Sequence, residues 1–277
     1  MVDTGTNNSL ASVMSALDNL KVEPEAVNYI ILTHIHLDHA GGAGLMMQAF
    51  PHAQLVVHPR GVRHMVDPSK LVEGATAVYG AEAVQQLYGD VRPVDPQRII
   101  EATHELSLEL NGRTLLCLDT PGHARHHIGL VDRKTGHVFT GDTFGVSYRE
   151  LDIDGRQFIL PATTPVQFDP AAMHGSIDLI MSYAPEAIYL THYGQIKDVA
   201  RKAEELHRSI DAYVSIAFRE GKNDEGRHAR ILAGIRDQLL QEMRKFGSTL
   251  PESKIIDIFA NDLELNAQGL GVWLDSQ

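Results

Sequence analysis

Residues 33–42, THIHLDHAGG, place three histidines and one aspartate within the six positions from His34 to His39. Imidazoles crowded this closely repel when protonated, and the crowding becomes favourable when a cation is their shared partner. In an extended chain, residues two apart point the same way. His34 and His36 are therefore expected to project together from the end of the apolar run YIIL (29–32). The chain then turns through Asp38, His39 and the flexible Ala40-Gly41-Gly42, so that Asp38 and His39 can face a second point nearby. Two adjacent sets of nitrogen and oxygen ligands suit a dinuclear site with its ions roughly 3.5–4 Å apart. Six positions cannot complete two such sites. The remaining donors are expected where other apolar runs end beside a glycine: His123 in DTPGHARHH, Asp142 in FTGDTFG and His192 in IYLTHYG.

The elements that must carry these residues are legible from hydrophobic period and turn chemistry. SLASVMSALDNL (9–20) predicts a helix with Val13, Leu17 and Leu20 on one face and Asn8 or Ser9 as its cap. AVNYIILTH predicts a buried strand, AGGAGLMMQAF the helix that follows, and AQLVVHP another strand. ELSLEL and RTLLCLDT, joined by Asn111-Gly112, predict a hairpin, because Asn-Gly favours the two-residue turn with positive φ. HIGLVD and HVFTGD, joined by RKTG, predict a second hairpin. Residues 169–183 read as a helix and EAIYLTH as a last strand. After Gly194 strand patterns stop. Residues 198–221, 224–247 and 251–274 read as three amphipathic helices. Residues 147–170 match no pattern. Alternating strands and helices with antiparallel hairpins predict an α/β layered fold.

The ordered elements HIHLDH, PGH, GDT and a final His resemble the metallo-β-lactamase fold superfamily, in order and spread, from about Asp3 to Tyr193. The resemblance implies a four-layer αββα sandwich with the site along one edge, and a C-terminal helical extension here. It implies a catalytic domain at 1–194 and an extension at 195–277. Carried over position by position, His34, His36 and His123 bind one metal. Asp38, His39 and His192 bind the second, and Asp142 bridges them. VDTG (2–5) matches an Asp-containing turn that the family places after its opening strands. Those strands are therefore expected to be missing, or the chain to start late.

The implied chemistry is hydrolysis by a metal-bridging hydroxide acting on a small ester, thioester or lactone. Asp38 is the expected catalytic residue, orienting the hydroxide or carrying a proton to the leaving group. The two divalent ions are expected to be zinc, with iron or manganese compatible with a site that has no Cys ligand. TPGHARHH and GDTFG resemble the glyoxalase-II-like and uncharacterised hydrolase branches most. Quorum-quenching lactonases usually carry a Tyr where this chain has Gly145. The alternative is a non-haem iron oxygenase or persulfide dioxygenase of the same fold. Phe144, Tyr148, Arg149 and Tyr193 are the candidates for contacts with substrate, and His127 for a hydrogen-bonding or site-lining role. His58, His64, His104, His126, His137, His174, His207 and His228 are expected to be solvated or core residues.

Composition limits the partners. The 277-residue chain has a net charge of −12 and no long Lys/Arg cluster, which argues against nucleic acid or anionic membrane surfaces. No apolar run approaches the roughly 18 residues of a membrane span. The single cysteine, Cys117, suits a reducing compartment and reads as a small buried apolar residue in a strand. With no signal peptide visible, a cytoplasmic enzyme for a small-molecule substrate is expected. The tail is expected to wall the site. Apolar IIDIFA (255–260) and Trp273 suggest instead a homodimer surface.

Overall fold

The computed structural model describes residues 1–221 and 225–277. Asp224, the first residue of the second predicted tail helix, lies outside them. The chain forms two compact units, Met1–Asp119 with His126–Arg133, and Thr120–Arg125 with Lys134–Gln277.

The first unit contains α1 (Leu10–Leu20), β1 (Tyr29–Ile31), α2 (Leu37–Ala40), α3 (Ala43–Ala49), β2 (Gln54–Val57) and α4 (Pro59–Val66). It continues through α5 (Ser69–Tyr79), α6 (Ala81–Tyr88), β3 (Ile99–Glu101), β4 (Ser107–Leu110), β5 (Arg113–Asp119) and β6 (Ile128–Asp132). β1, β2 and β3 form a parallel sheet with Ile30 opposite Leu55 and Val56 opposite Ile100. Ile30, Leu32, Ile35, Met46, Phe50, Leu55 and Val57 are its buried core. Burying each such side chain stabilises the fold by about 1.5–3 kcal/mol. β4 and β5 pair antiparallel, with Leu110 opposite Arg113. The turn between them holds Asn111 at φ 50° and Gly112 at φ 73°, as the Asn-Gly dipeptide predicts. β5 also pairs antiparallel with β6.

Three local differences from expectation have clear causes. β1 closes one residue before the apolar run ends: the Leu32 amide still donates to the Val56 carbonyl at 2.9 Å, but the next amide, that of Thr33, turns to the Asp3 carboxylate at 2.7 Å. The first helix begins with a 3-10 turn, Asn7–Ser9, capped by Thr6, whose side chain accepts from the Asn8 amide. Leu20, at the end of α1, is 72% exposed and leaves the apolar face to Val13 and Leu17. Helices α4 to α6 carry no expectation from sequence. α4 starts at Pro59, behind His58, whose Nδ1 accepts from the Arg60 amide at 3.0 Å.

The second unit contains β7 (His137–Gly141), α7 (Pro170–Ser182), β8 (Ala187–Leu190), β9 (Gly194–Ile196) and α8 (Val199–Glu220). It ends with α9 (Arg227–Phe246), α10 (Glu252–Ile258) and α11 (Ala260–Asp275). β7 pairs parallel with β8, and β8 antiparallel with β9. α8 buries Ala203, Leu206, Ile210, Tyr213 and Ala217, and α9 buries Ile231, Ile235, Leu239, Met243 and Phe246. These spacings of three and four are the amphipathic period predicted for the tail. The third predicted helix breaks at Phe259, which separates α10 from α11 and is fully buried. Ile255, Phe259 and Trp273 are all buried among the described residues, so they serve this unit's core and do not form an exposed apolar face.

In the unpatterned stretch 147–170, α11 holds residues 161–163. Asn266 accepts from the Thr163 amide at 2.7 Å and donates to the Pro161 carbonyl at 3.0 Å. A Cβ on Gly269 would run into the backbone of Thr163, so this approach requires glycine.

Candidate metal centre

Each unit presents its own cluster of His and Asp donors. In the first unit, β1 and the start of α2 set the geometry. His34 Nε2 and His36 Nδ1 face each other at 2.9 Å. His36 sits in the extended N-cap position of α2, at φ −62° and ψ 148°, which keeps the alternation that points both rings the same way. One turn on, His39 Nε2 lies 3.4 Å from Asp38 Oδ2. The other nitrogen of His39, Nδ1, meets Asp3 Oδ2 at 2.9 Å. Asp3 also accepts from the Thr33 hydroxyl at 2.9 Å. The buried Asp3 carboxylate thus fixes the His39 tautomer, leaving Nε2 as a donor atom for a ligand.

In the second unit, the PGH turn is held by close packing. Gly122 has φ 134°, and a Cβ there would strike the backbone of Met173 in α7. His123, the next residue, is buried, and its Nδ1 meets the Ala162 carbonyl at 2.9 Å. The carbonyl places the proton on Nδ1 and leaves Nε2, which is 3.6 Å from Asp142 Oδ2. His192 Nε2 is 3.6 Å from the other oxygen, Asp142 Oδ1. One buried carboxylate with a histidine beside each oxygen is the arrangement a bridging ligand needs.

These donors fit a metal. Two imidazoles have their second nitrogen tied by a carboxylate or carbonyl, as metal-ligating histidines generally do. The chain therefore carries His and Asp groups able to hold a metal ion. Cys117 takes no part, since it is buried in β5, where burial pushes its thiol up to about 12.

The other expected residues divide by environment. The Tyr148 hydroxyl donates to Asp262 Oδ2 at 2.6 Å, and its ring packs 4.6 Å from Tyr193 and 5.0 Å from Phe259. Burial, and then the Asp262 charge, raise the Tyr148 phenol well above its ordinary value. Burial likewise raises the Asp262 carboxyl. Tyr193 is half exposed. Arg149 donates to Ser147 Oγ at 2.6 Å and lies 3.5 Å from Asp152. Phe144 is fully buried. Gly145 has φ 78°, and a Cβ there would meet the Leu160 carbonyl, so a tyrosine cannot be accommodated at that place.

Sequence reasoning missed four contributors. Asp3 lay in a noted motif without an assigned role. His126, set aside as solvated or core, stacks on His34 at 6.2 Å and packs edge-on to His36 at 5.6 Å. The HARHH run was the available signal. His127, which the sequence did offer for a hydrogen-bonding or site-lining role, is buried, with its ring 5.2 Å from that of His34. Tyr88, at the end of α6, is raised to about 12 by burial and then by the Asp38 charge. Asp262, in the tail, had no local signal at all.

The fold and donor chemistry define a family. The chain belongs to the metallo-beta-lactamase superfamily, whose model matches residues 1–192. It has the α/β fold of that superfamily, followed by C-terminal helices. It is 30% identical over 201 residues to the metallo-beta-lactamase fold-containing protein ST1585 of Sulfurisphaera tokodaii, covering 71% of this chain and 69% of that one. The crystal structure of ST1585 superposes with a TM-score of 0.65 at 23% identity, over 98% of this chain and 87% of that one. More distantly, a hydroxyacylglutathione hydrolase of Vibrio campbellii is 29% identical over 126 residues, covering 46% of this chain and 36% of the relative. An atrochrysone carboxyl ACP thioesterase of Aspergillus fumigatus is 27% identical over 117 residues, 42% of this chain and 27% of that one. The structure of TTHA1623 in a di-iron-bound form has a TM-score of 0.51 at 22% identity, over 74% of this chain and 86% of that one. The superfamily thus includes hydrolases. Among the described residues no helix is long and apolar enough to cross a membrane.

Proposed function

We propose that this chain is a metal-dependent hydrolase of small esters or thioesters. His34, His36 and His123 would hold one divalent ion, Asp38, His39 and His192 a second, and Asp142 would be shared. The observation that carries the reading is the tethering of His39 by Asp3 and of His123 by the Ala162 carbonyl, which leaves one nitrogen of each ring beside a carboxylate. The hydroxyacylglutathione hydrolase and the acyl-carrier-protein thioesterase among the relatives support the thioester class.

When bound, such a pair of ions supplies a nucleophilic water at neutral pH and polarises the carbonyl under attack. The chain's own residues do the rest. Asp38, with its side chain 48% exposed, can take a proton from water and pass it to a leaving alkoxide or thiolate. Tyr88 stays protonated at neutral pH and can donate a hydrogen bond. Tyr148 is anchored by Asp262, so the tail (195–277) contributes to the wall beside Asp142 and His192 rather than to a separate function. A second reading, iron in the same donors with oxygen or persulfide chemistry, is compatible with a donor set that has no thiolate and is supported by the di-iron-bound form of the similar structure TTHA1623.

The test is a metal count combined with assays on thioester, ester and lactone substrates, for the wild type and Asp142→Ala. Two zinc ions per chain with thioesterase or esterase activity, and loss of both in the variant, are the expected result. Bound iron with oxygen consumption on a persulfide favours the second reading. Undiminished metal and activity in Asp142→Ala overturns the assignment of that residue.

A further inference from the structure

Away from the candidate centre, α7 and α8 carry matching His-x-x-x-Asp pairs, His174 with Asp178 and His207 with Asp211. The four side chains form one line. His174 Nε2 lies 3.2 Å from Asp211 Oδ1, and His207 Nε2 lies 3.2 Å from Asp178 Oδ1. Between them, His174 Nδ1 and His207 Nδ1 face each other at 2.6 Å. The rings are parallel to within 10° with centroids 4.9 Å apart, so they meet through those two nitrogens. Each helix supplies a ligand ring and the carboxylate that faces the other helix's ring.

Proton counting shows what this line lacks. Three contacts join four groups: Asp211 to His174, His174 to His207, and His207 to Asp178. Each contact needs one hydrogen, and two neutral imidazoles bring two. The carboxylates hold those two on the Nε2 atoms, leaving the Nδ1 lone pairs opposed at 2.6 Å. The contact lacks one cation, either a proton or a metal ion. The pattern of a histidine that uses one nitrogen for a ligand and turns the other to a carboxylate is that of metal sites, and here it occurs twice.

We propose that His174 and His207 form a surface site for a transition-metal dication of the zinc, nickel or copper class. The two Nδ1 atoms are the ligands, and water completes the coordination. Asp211 and Asp178 orient the rings. With the rings only 27% and 28% exposed, the donors are held in place yet reachable by solvent. Zinc takes nitrogen ligands at about 2.0–2.1 Å, so tetrahedral binding asks the nitrogens to part by roughly 0.7 Å and both rings to turn until their lone pairs converge on the ion. Imidazole donors select this class of ion over magnesium or calcium. The site does not depend on the hydrolase reading, since none of its residues belongs to the candidate centre.

Equilibrium dialysis against excess zinc tests it on the full chain, comparing the wild type with His174→Ala/His207→Ala. The variant is expected to hold one zinc fewer per chain, with its other metal and any hydrolase activity unchanged. Asp178→Asn/Asp211→Asn, which keeps both rings, is expected to weaken the extra zinc by about 10–100-fold. Nitrogen NMR of the wild-type histidines supplies a readout that a folding defect in a variant cannot imitate. Zinc added beyond the tightly bound ions should shift both Nδ1 signals together. Equal zinc stoichiometry in wild type and alanine variant overturns the proposal. So do Nδ1 signals that do not move with zinc, which would show a shared proton filling the contact.

Discussion

The Tyr148 hydroxyl donates a 2.6 Å hydrogen bond to Asp262 across 114 residues of chain, from the segment after Asp142 to helix α11. The bond ties the last helix to the segment that leaves β7. It also leaves a carboxylate where burial raises its pKa, with the Asp142 charge adding to the rise and Tyr148 and His192 opposing it. Removing the hydroxyl withdraws a hydrogen bond to a charged, half-buried group. Tyr148→Phe is expected to cost about 1.5–3 kcal/mol, read as a lower urea midpoint with an unchanged m-value. Tyr148→Phe with Asp262→Asn together should cost less than the two changes added. Strict additivity would show that the contact does not matter to stability.

Truncation after residue 248 removes α10 and α11, and with them buried Ile255, Phe259, Leu263, Leu270, Trp273 and Leu274. At about 1.5–3 kcal/mol per side chain, that loss is comparable to the about 5–15 kcal/mol by which whole domains are stable. The truncated chain is expected to lose cooperative unfolding and bound metal together. A folded, metal-loaded truncation with only a raised KM would mean that these helices wall a pocket without supporting the core.

Asp3 bonds the Thr33 amide at 2.7 Å as well as His39. Asp3→Ala leaves that buried amide and the His39 ring without their partner, at a cost of about 1–3 kcal/mol for each unsatisfied group. A 10–100-fold fall in metal affinity is also expected. Competition with a chelator measures the affinity. His228→Ala, whose ring sits at the surface 3.0 Å from Glu264, should leave it unchanged.

Cys117 is buried in β5, and burial raises its thiol from 9.0 to about 12. The folded state therefore keeps a proton that the unfolded chain releases above about pH 9. The thiol's contribution is complete below that pH, and stability falls as pH rises toward 12. Cys117→Ser is not a neutral control, because it buries a hydroxyl. Cys117→Ala should flatten this alkaline slope. Thiol reagents should label the wild type only on unfolding, and rapid labelling of the native protein would contradict the burial.

The sequence by itself determined the candidate donors and the local geometry that aims them. An extended His-x-His followed by a helical turn points its rings without help from the rest of the chain. Asn111-Gly112 sets its hairpin for the same local reason, and the spacing of Ile231, Ile235 and Leu239 makes a helix wherever that segment packs. The tethers were decided elsewhere. Asp3 reaches His39 across 36 residues, Asp262 reaches Tyr148, and Asn266 orders the otherwise unpatterned Pro161–Thr163 stretch. His174 and His207 meet because α7 packs on α8, with their nitrogens 2.6 Å apart. None of these pairs has a periodic or turn signal, because each depends on where two separately formed elements come to rest. Spacing along the chain fixes the direction of a side chain, and only packing decides what it finds there.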